Sequence, residues 1–252
     1  MDQEFIRKTV MVTGASKGIG AGIARAFGAA GAQVAVAYGH DRDRAERVAA
    51  DIESAGGRAL ILQGDLRQAP DIESMIARVV TEFGPLQVLV NNAGYFDYKS
   101  LSDITATHFH DTFDTNVLGV LMTTKLAVAN FDPAGGSVIN ISSLSAQGNA
   151  PGRAVYAASK AAVNAITKVL ALELADRRIR VNGIMPGYFD TEGARAFGIQ
   201  GSEQEAQLLA ATPLDRRAGE PSEIASVALF LASRASNWMT GDILTVSGGL
   251  RG

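Results

Sequence analysis

The chain has 252 residues, of which 47% are hydrophobic and 19% are charged, with 27 Gly, no Cys and a formal net charge of −3. This length and composition predict a globular chain with a substantial core, and they exclude a disordered tail. The lack of cysteine excludes disulfides, thiolate metal sites and a cysteine nucleophile, and the slightly acidic balance argues against a nucleic-acid-binding protein.

Neither a membrane segment nor a metal site is predicted. The apolar run 224–232 is far shorter than the roughly 18 residues that cross a bilayer. Residues 1–8 are charged and lack the apolar region of a signal peptide, so we expect a cytoplasmic protein. His108 and His110 are two residues apart in a predicted helix and point in different directions, so we expect solvated histidines there and no metal.

Short apolar segments rich in β-branched residues alternate with helical patterns along most of the chain. The predicted strands cover residues 9–12, 33–37, 59–63, 87–90, 137–141, 180–184 and 243–246. The predicted helices cover the segment from the first glycine-rich turn to residue 30, then 43–55, 71–83, 107–129, 156–175 and 221–232.

This alternation predicts an α/β fold with a doubly wound sheet. Strands such as 34–37 are continuously apolar, as expected where helices cover both faces of a parallel sheet. Gly31, Gly56 and Gly84 stand where three predicted helices end. Because no linker or low-complexity segment divides the chain, we predict one domain spanning residues 1–252.

Residues 185–220 interrupt the alternation of strands and helices. They contain one short helical pattern, 203–211, and otherwise have the composition of a loop. Long insertions in a compact domain usually cover a binding site, so we interpret this segment as a substrate lid. The alternative is a passive surface loop.

A glycine-rich turn follows the first strand and reads Thr13-Gly14-Ala15-Ser16-Lys17-Gly18-Ile19-Gly20. Glycines at these places allow a tight turn and bring backbone N–H groups close to a pyrophosphate, which the N-terminus of the next helix also attracts. The position of the turn between a strand and a helix predicts a dinucleotide site. A tight turn that binds no ligand is the alternative.

The spacing of these glycines resembles the fingerprint of the short-chain dehydrogenase/reductase family, in its single-domain branch. The similarity extends over essentially the whole chain, because further motifs of the family follow in its order. They are Asp65-Leu66, Asn91-Asn92-Ala93-Gly94, Asn116, Ile141-Ser142-Ser143, Tyr156 with Lys160, Pro186-Gly187 with Thr191, and Gly248-Gly249. The resemblance implies a Rossmann fold with a seven-stranded parallel sheet in the order 3-2-1-4-5-6-7 and helices on both faces.

The chain departs from the family at Ser247, because many relatives have Asp before the terminal glycines. This departure bears on the packing or interface of the C-terminus and leaves the chemistry unaffected.

Tyr95 and Tyr156 each have a lysine four residues later, the spacing that places two side chains on one face of a helix. A cation beside a phenol favours the phenolate and brings it toward the range of a general acid or base. Ser143, just past a strand end, lies thirteen residues before Tyr156, whereas Glu82 holds the matching position before Tyr95. We therefore choose Tyr156, and we expect Tyr95, with Phe96 and Tyr98 beside it, to pack in a loop or to form a pocket wall.

The resemblance implies four catalytic residues: Asn116, Ser143, Tyr156 and Lys160. Tyr156 would exchange a proton with the substrate oxygen while hydride passes between the substrate carbon and the nicotinamide. Ser143 would orient the substrate oxygen, and Lys160 would lower the pKa of Tyr156 and bind the nicotinamide ribose. Asn116 would hold a water that links Lys160 to solvent; the alternative is a polar residue on a solvated helix face.

The resemblance also implies a set of cofactor-binding residues near the strand ends and at the start of the lid. They are Gly14, Ser16, Lys17, Gly18, Ile19, Gly20, Tyr38, Gly39, His40, Asp65, Leu66, Asn92, Ala93, Gly94, Tyr156, Lys160, Pro186, Gly187, Phe189 and Thr191.

The end of the second strand indicates which nicotinamide cofactor is bound. An acid there would accept a hydrogen bond from the ribose 2′-OH of NAD and repel a 2′-phosphate, but this chain has Tyr38 and Gly39. Asp41 and Asp43 come later and are expected to cap the next helix. Lys17 and Arg42 could pair with a phosphate, so we predict NADP(H), with NAD(H) as the second choice.

The predicted substrate is a small-molecule carbonyl or secondary alcohol whose identity the sequence leaves open. Relatives with the same four catalytic residues act on ketones, 3-oxoacyl thioesters, sugars and steroids. Candidate apolar walls are Tyr95, Phe96, Tyr188, Phe189, Phe197 and Leu208, and candidate polar contacts are Arg153 and Arg195.

Two other functions stay open. The first is reduction of a 3-oxoacyl group on an acyl-carrier protein, which needs a basic docking patch. Arg177, Arg178 and Arg180 could form such a patch, or they could simply complement the dipole of the preceding helix. The second is a non-catalytic NADP(H)-binding sensor.

The helices predicted over 107–129 and 156–175 are outer helices that family members pair across subunits. Phe109, Phe113 and Leu121 recur at helical spacing in the first of them, which packing onto the sheet would also require. The resemblance therefore implies a homotetramer or a homodimer.

Overall fold

Seven short apolar strands pair side by side in parallel, in the order β3-β2-β1-β4-β5-β6-β7. The computed structural model describes residues 3–148, 150–196 and 198–251. The strands are β1 (Thr9–Val12), β2 (Gln33–Tyr38), β3 (Arg58–Gln63), β4 (Val88–Asn91), β5 (Gly136–Ile141), β6 (Ile179–Pro186) and β7 (Ile243–Val246). Both the predicted fold class and the predicted strand order are confirmed.

Helices connect the strands and cover both faces of the sheet. They are α1 (Gly18–Ala29), α2 (Arg42–Ser54), α3 (Ala69–Phe83), α4 (Ala106–Phe113), α5 (Gly119–Val128), α6 (Ala154–Glu173), α7 (Glu192–Ala196), α8 (Glu203–Ala210) and α9 (Pro221–Ala232). Within the described ranges, none of these helices is long and apolar enough to cross a membrane.

The two faces of the sheet bury two separate hydrophobic cores. Val10 and Val12 of β1 pack in the core beneath α1, α2 and α9, while Met11 between them packs in the core beneath α3, α5 and α6. Successive side chains of a strand point to opposite faces. Every position of a central strand is therefore buried, which explains the continuously apolar strands of the sequence.

Two segments differ from the sequence prediction. The helix expected over 107–129 is interrupted between α4 and α5 by a π-helical turn, Asp114–Leu118. Such a turn inserts an extra residue without breaking the helix, so the apolar periodicity on either side does not reveal it. The segment 185–220 contains a second short helix, α7, in addition to the predicted α8.

Candidate active site

The carboxyl ends of the central strands meet at one edge of the sheet, where two adjoining cavities open. The first, the outer cleft, extends from the glycine-rich turn past the ends of β2 and β3 to Tyr95. The second, the inner pocket, is lined by Ser143, Tyr156 and the start of the lid. The residues shared by both cavities are Ile19, Asn92, Gly94, Phe96 and Thr191. The two cavities therefore form one continuous crevice.

Glycines in the turn after β1 are required by close packing. Gly14 has a φ of +61°, and a Cβ on it would lie 2.8 Å from the Cα of Ala93. A side chain on Gly20 would collide with Asn92 and with the carbonyl of Gly14. Gly20 therefore lies beneath the turn. Within the turn, Gly14, Ser16 and Lys17 line the outer cleft, whereas Ala15 does not.

Asn92 locks the end of β4 to the end of β1. Its side-chain nitrogen donates to the carbonyl oxygens of Thr13 (2.9 Å) and Gly14 (3.1 Å). In return, the backbone N–H groups of Asn92 and Ala93 both donate to Thr13 Oγ1 at 3.0 Å. These bonds fix the shape of the crevice where its two cavities meet.

Most of the other predicted cofactor residues line the crevice. Tyr38, Gly39, His40, Asp65, Leu66, Ala93 and Gly94 line the outer cleft; Lys160, Pro186, Gly187 and Phe189 line the inner pocket. Arg67 was not predicted, and it lines the outer cleft while pairing with Asp65 at 2.7 Å. Its hydrogen bond lowers the pKa of the Asp65 carboxyl.

The two cations expected near a 2′-phosphate lie in different surroundings. Lys17 lines the outer cleft. Arg42 is bonded to Glu46 at 2.8 Å, on the first turns of α2. Asp41 accepts from the backbone N–H of Arg44, so the predicted helix cap is confirmed.

Tyr156, in the first turn of α6, lines the inner pocket together with Ser143. Burial of the phenol raises the pKa of Tyr156, and Tyr98 adds to this rise. The Ser143 side chain and the positive charge of Arg153 lower the pKa of Tyr156 and so act in the opposite direction. The neutral phenol is thus the form that this environment favours.

Lys160 lies one turn further along α6 and is 4% exposed. Its Nζ donates to the carbonyl oxygen of Ile141 at 2.9 Å and lies 5.9 Å from the centroid of the Tyr156 ring. Burial lowers the pKa of Lys160 to about 8. The role predicted for Lys160, lowering the pKa of Tyr156, stays a prediction.

Asn116 lies in the π-helical turn and is fully buried. Its Oδ1 accepts from the backbone N–H of Tyr95 at 2.7 Å, and its Nδ2 donates to the Tyr95 carbonyl and to Ser159 Oγ. The alternative of a solvated helix face is therefore wrong. A Cβ on Gly94 would lie 3.4 Å from both Asn116 Oδ1 and Lys160 Nζ, so these two polar groups lie against the same glycine.

Aromatic side chains surround Tyr156 in the inner pocket. The ring centroids of Phe96 and Tyr98 lie 6.3 and 5.8 Å from that of Tyr156, and both residues line the pocket. They are therefore pocket walls, whereas Tyr95 lies in the outer cleft. Tyr188, Phe189 and Leu208 also line the pocket, and Phe197 lies outside the described residues.

Of the two arginines predicted as polar contacts, only Arg153 lines the inner pocket. Arg195 instead pairs with Asp190 at 2.8 Å. Sequence reasoning missed Ser145, Ile199 and Leu250, which also line the pocket. Ile199 belongs to a loop and Leu250 to the C-terminus, and neither segment has a periodicity that would place it against the pocket.

Sequence reasoning also missed a buried chain of polar side chains beneath the site. Asn91 Nδ2 donates to Thr124 and to Asn140, and Asn140 Nδ2 donates to Thr167 on α6, all at 2.9 Å. These bonds tie α6, which carries Tyr156, to β4 and β5. An asparagine inside an otherwise apolar strand was the available signal, because a buried amide needs partners.

The expectation that His108 is solvated is wrong, and two arginines of the candidate docking patch bond to the chain itself. His108 is only 7% exposed, and its Nε2 lies 3.0 Å from the Asp97 carbonyl oxygen, because α4 packs under the loop that carries Phe96 and Tyr98. Arg177 donates a hydrogen bond to the Val128 carbonyl oxygen, and Arg180 donates to residues 233 and 236. Neither lines the pocket.

The crevice combines a tight glycine turn at a helix N-terminus with a phenol, a hydroxyl and an amine around a pocket. The first feature suits a pyrophosphate, and the second suits proton exchange with a polar oxygen. The glycine-rich lining of the outer cleft, which includes Gly14 and Gly94, fits an extended dinucleotide.

Comparisons with known proteins agree with this geometry. Residues 14–251 match a family model described as enoyl-(acyl carrier protein) reductase. The chain is 47% identical to an uncharacterized oxidoreductase of Methylorubrum extorquens, over 97% of this chain and 98% of the relative. It is 36% identical to a 3-oxoacyl-[acyl-carrier-protein] reductase of Staphylococcus epidermidis, over 97% and 99% of the two chains.

A solved structure shows the same fold. A blue fluorescent protein from a metagenomic library, in complex with NADPH, superposes with a TM-score of 0.91 at 33% identity, over 99% of this chain and 100% of that one. The sheet order, the motifs at the strand ends and these similarities establish that the chain is an oxidoreductase of the short-chain dehydrogenase/reductase family.

Proposed function

We propose that the protein is an NADP(H)-dependent oxidoreductase that interconverts a carbonyl and a secondary alcohol, with Tyr156 as the general acid and base. The observation that carries this proposal is that the side chains of Ser143 and Tyr156, each with a hydroxyl group, line the same pocket. This pocket shares lining residues with the outer cleft and is continuous with it. A carbonyl oxygen that reached both groups would sit beside the cleft that holds the cofactor.

In the reductive direction, Tyr156 would give its proton to the substrate oxygen, while a nicotinamide held in the outer cleft would supply the hydride for the carbonyl carbon. Burial keeps the phenol protonated until this moment, which suits a general acid. Ser143 donates a hydrogen bond to the same oxygen and orients it.

Lys160 then helps to replace the proton. Because its pKa lies near 8, the amine can hold or release a proton close to neutral pH. Asn116 is proposed to hold a water molecule that links Lys160 to solvent.

The cofactor preference follows from the charges at the end of β2. Tyr38, Gly39 and His40 present no carboxylate to the cleft, and Lys17 lies across it. A 2′-phosphate would meet that cation, while the two acids that line the cleft nearby, Asp41 and Asp65, are paired with Arg44 and Arg67. The NADPH complex of the blue fluorescent relative supports this choice, with NAD(H) as the second choice.

A screen of NADPH oxidation tests the proposed function. The purified protein is given ketones, 3-oxoacyl thioesters, sugars with a free carbonyl and one enoyl thioester, and the loss of NADPH absorbance is followed. We expect turnover of at least one carbonyl compound. Turnover of the enoyl thioester alone, or of no compound while NADPH still binds, would overturn carbonyl reduction, and the second result would favour a sensor.

Reduction of a 3-oxoacyl group on an acyl-carrier protein is the second candidate, favoured by the staphylococcal relative. Because Arg177 and Arg180 bond to the chain itself, the basic patch expected for this partner is not supported by their positions. Comparing one 3-oxoacyl group on a carrier protein with the same group on a short thioester decides the question. A much lower KM for the carrier-protein form would favour this candidate.

The segment 185–220 is proposed as the substrate lid of a single domain. Its base is closed where Tyr188 and Asp190 form backbone hydrogen bonds with Gly219. Within it, the Tyr188 hydroxyl donates to Glu205 of α8 at 2.6 Å, which brings α8 over the inner pocket.

We also propose that the protein forms a homotetramer or a homodimer through α4, α5 and α6. Phe109 stacks on Phe113 on the outer surface, and Val169 and Leu172 of α6 are exposed, Leu172 by 80%. Large apolar side chains of this kind favour burial against a second copy. Light scattering after size-exclusion chromatography tests this; a monomer at micromolar concentration would contradict it.

A further inference from the structure

The inner pocket is positively charged. Two cationic side chains, Lys160 and Arg153, line it, and none of its lining residues in the described ranges is Asp or Glu. Lys160 is accounted for by the proposed proton transfer. Arg153 has no part in that chemistry, yet it lies in the wall of the pocket.

Arg153 is held in place without a carboxylate. Its Nη1 donates to Ser145 Oγ at 3.2 Å, and its Cζ lies 4.8 Å from the centroid of the Tyr98 ring. Within the part of the chain that the structure describes, no acidic side chain forms an ion pair with it. Partly buried arginines are usually paired, because an unpaired charge loses hydration without compensation.

Three exposed arginines elsewhere in the chain do pair with carboxylates. Arg67 pairs with Asp65, Arg195 with Asp190 and Arg217 with Glu223, each at 2.6 to 2.8 Å. Arg153 differs because its neighbours in the pocket are a hydroxyl and an aromatic ring, which position a guanidinium but leave several of its five N–H donors for another partner.

We propose that Arg153 is a specificity-determining residue that binds a carboxylate of the substrate, so that the preferred substrates are oxo acids with an apolar body. The inference rests on the proposed reduction of a carbonyl at Tyr156. The ring of Tyr98 contacts both Arg153 and Tyr156, so the carboxylate and the reacting carbonyl belong to one compact molecule. Phe96, Leu208 and Leu250 line the same pocket and suit the apolar part.

The fixed position of Arg153 favours this role. A guanidinium can bind both oxygens of a carboxylate through two parallel hydrogen bonds. Since Tyr98 and Ser145 already restrict the side chain, little conformational freedom is lost when the carboxylate binds.

The test compares two ligands of the same shape that differ in charge: benzoylpropionate, an aryl ketone with a carboxylate, and its primary amide. Binding of each to the NADP⁺ complex is measured by calorimetry, and reduction of each by NADPH is measured where turnover occurs. The variants are Arg153→Gln, Arg153→Lys and, as a matched control, Arg195→Gln, which alters an arginine outside the pocket. Thermal unfolding of each variant checks that it is folded.

We expect the wild type to bind the acid more tightly than the amide. In Arg153→Gln the ratio of the two affinities falls by about tenfold to hundredfold, as expected for a charge-assisted hydrogen bond. Arg153→Lys retains part of the preference, and Arg195→Gln retains all of it. Any loss of turnover appears chiefly as a higher KM for the acid.

Equal binding of the acid and the amide by the wild type, or an unchanged ratio in a folded Arg153→Gln, would overturn the inference and would show that Arg153 only supports the start of α6. Failure of the proposed function is distinguishable, because it abolishes turnover of every carbonyl while calorimetry still reports the role of Arg153.

Discussion

The Nζ of Lys160 donates a hydrogen bond to the carbonyl oxygen of Ile141 and lies 5.9 Å from the centroid of the Tyr156 ring. The amine is thus anchored to the end of β5 and lies beside the proposed acid. Its burial explains why the pKa of Lys160 is lowered to about 8.

This lowered pKa predicts a pH-dependent stability. The unfolded chain keeps the lysine proton up to about pH 10.5, whereas the folded chain loses it near pH 8, so Lys160 makes stability rise with pH between these values. The free energy of unfolding of the wild type, minus that of Lys160→Met, should increase by about 2 kcal/mol from about pH 7.5 to about pH 10. Both free energies are measured by unfolding in urea.

Lys99→Met is the matched control, because the Lys99 side chain is 41% exposed and pairs only with Asp97 among the described residues. Its stability should follow that of the wild type at every pH. A difference between the wild type and Lys160→Met that is the same at all pH values would contradict the lowered pKa.

Replacement of Asn116 is predicted to lower the free energy of unfolding strongly. In Asn116→Ala the backbone N–H and C=O of Tyr95 lose their side-chain partners, at a cost of roughly 1–3 kcal/mol for each buried group left unpaired. We expect a loss of more than about 2 kcal/mol in the free energy of unfolding, measured with urea. Asn130→Ala removes an exposed asparagine from a helix end and should cost far less; equal effects of the two substitutions would refute this role.

Replacing Lys17 and replacing Arg42 are predicted to have different effects on cofactor binding. Since Lys17 lines the outer cleft and Arg42 is bonded to Glu46, Lys17→Ala should raise the Kd for NADPH by about tenfold and barely change that for NADH. Arg42→Ala should leave both values near those of the wild type. Fluorescence titration measures the four constants, and tighter binding of NADH than of NADPH by the wild type would show that the NADP(H) assignment is wrong.

The position of Glu192 predicts that the lid and the cofactor compete for the N-terminus of α1. Its Oε2 accepts from the N–H of Gly18 at 2.9 Å, at the N-terminus of α1 where a pyrophosphate is expected to bind. Removing this negative charge in Glu192→Gln should tighten NADPH binding by about twofold to fivefold. Glu203→Gln, on an exposed turn of α8, is the control, and weaker binding by Glu192→Gln would mean that the carboxylate supports the site.

The features that could be predicted are those encoded by the spacing of residues within one segment of the sequence. The turn at Gly14 and the pair of Tyr156 and Lys160 could be placed because strand ends of a parallel sheet converge on one edge. Asn116 was placed in the right helix, but its burial depends on the π-helical turn, which leaves no mark in the apolar periodicity.

Other features depend on contacts between distant segments. The burial of His108 requires the loop at Asp97 to fold over α4, and the position of Arg153 requires the same loop to bring Tyr98 to the start of α6. No spacing within one segment encodes such contacts. Only the folded chain separates Arg153, in the pocket, from Arg195, outside it.

The most direct test of the central claim compares Tyr156→Phe with Tyr95→Phe on the best carbonyl substrate from the screen. Both substitutions remove one hydroxyl from a tyrosine that has a lysine four residues later. We predict that Tyr156→Phe lowers kcat by at least about 100-fold, the lower range for loss of a general acid, while its Kd for NADPH stays near that of the wild type. Tyr95→Phe should keep most of its activity. Wild-type kcat in Tyr156→Phe would contradict the assignment of the proton transfer to this residue.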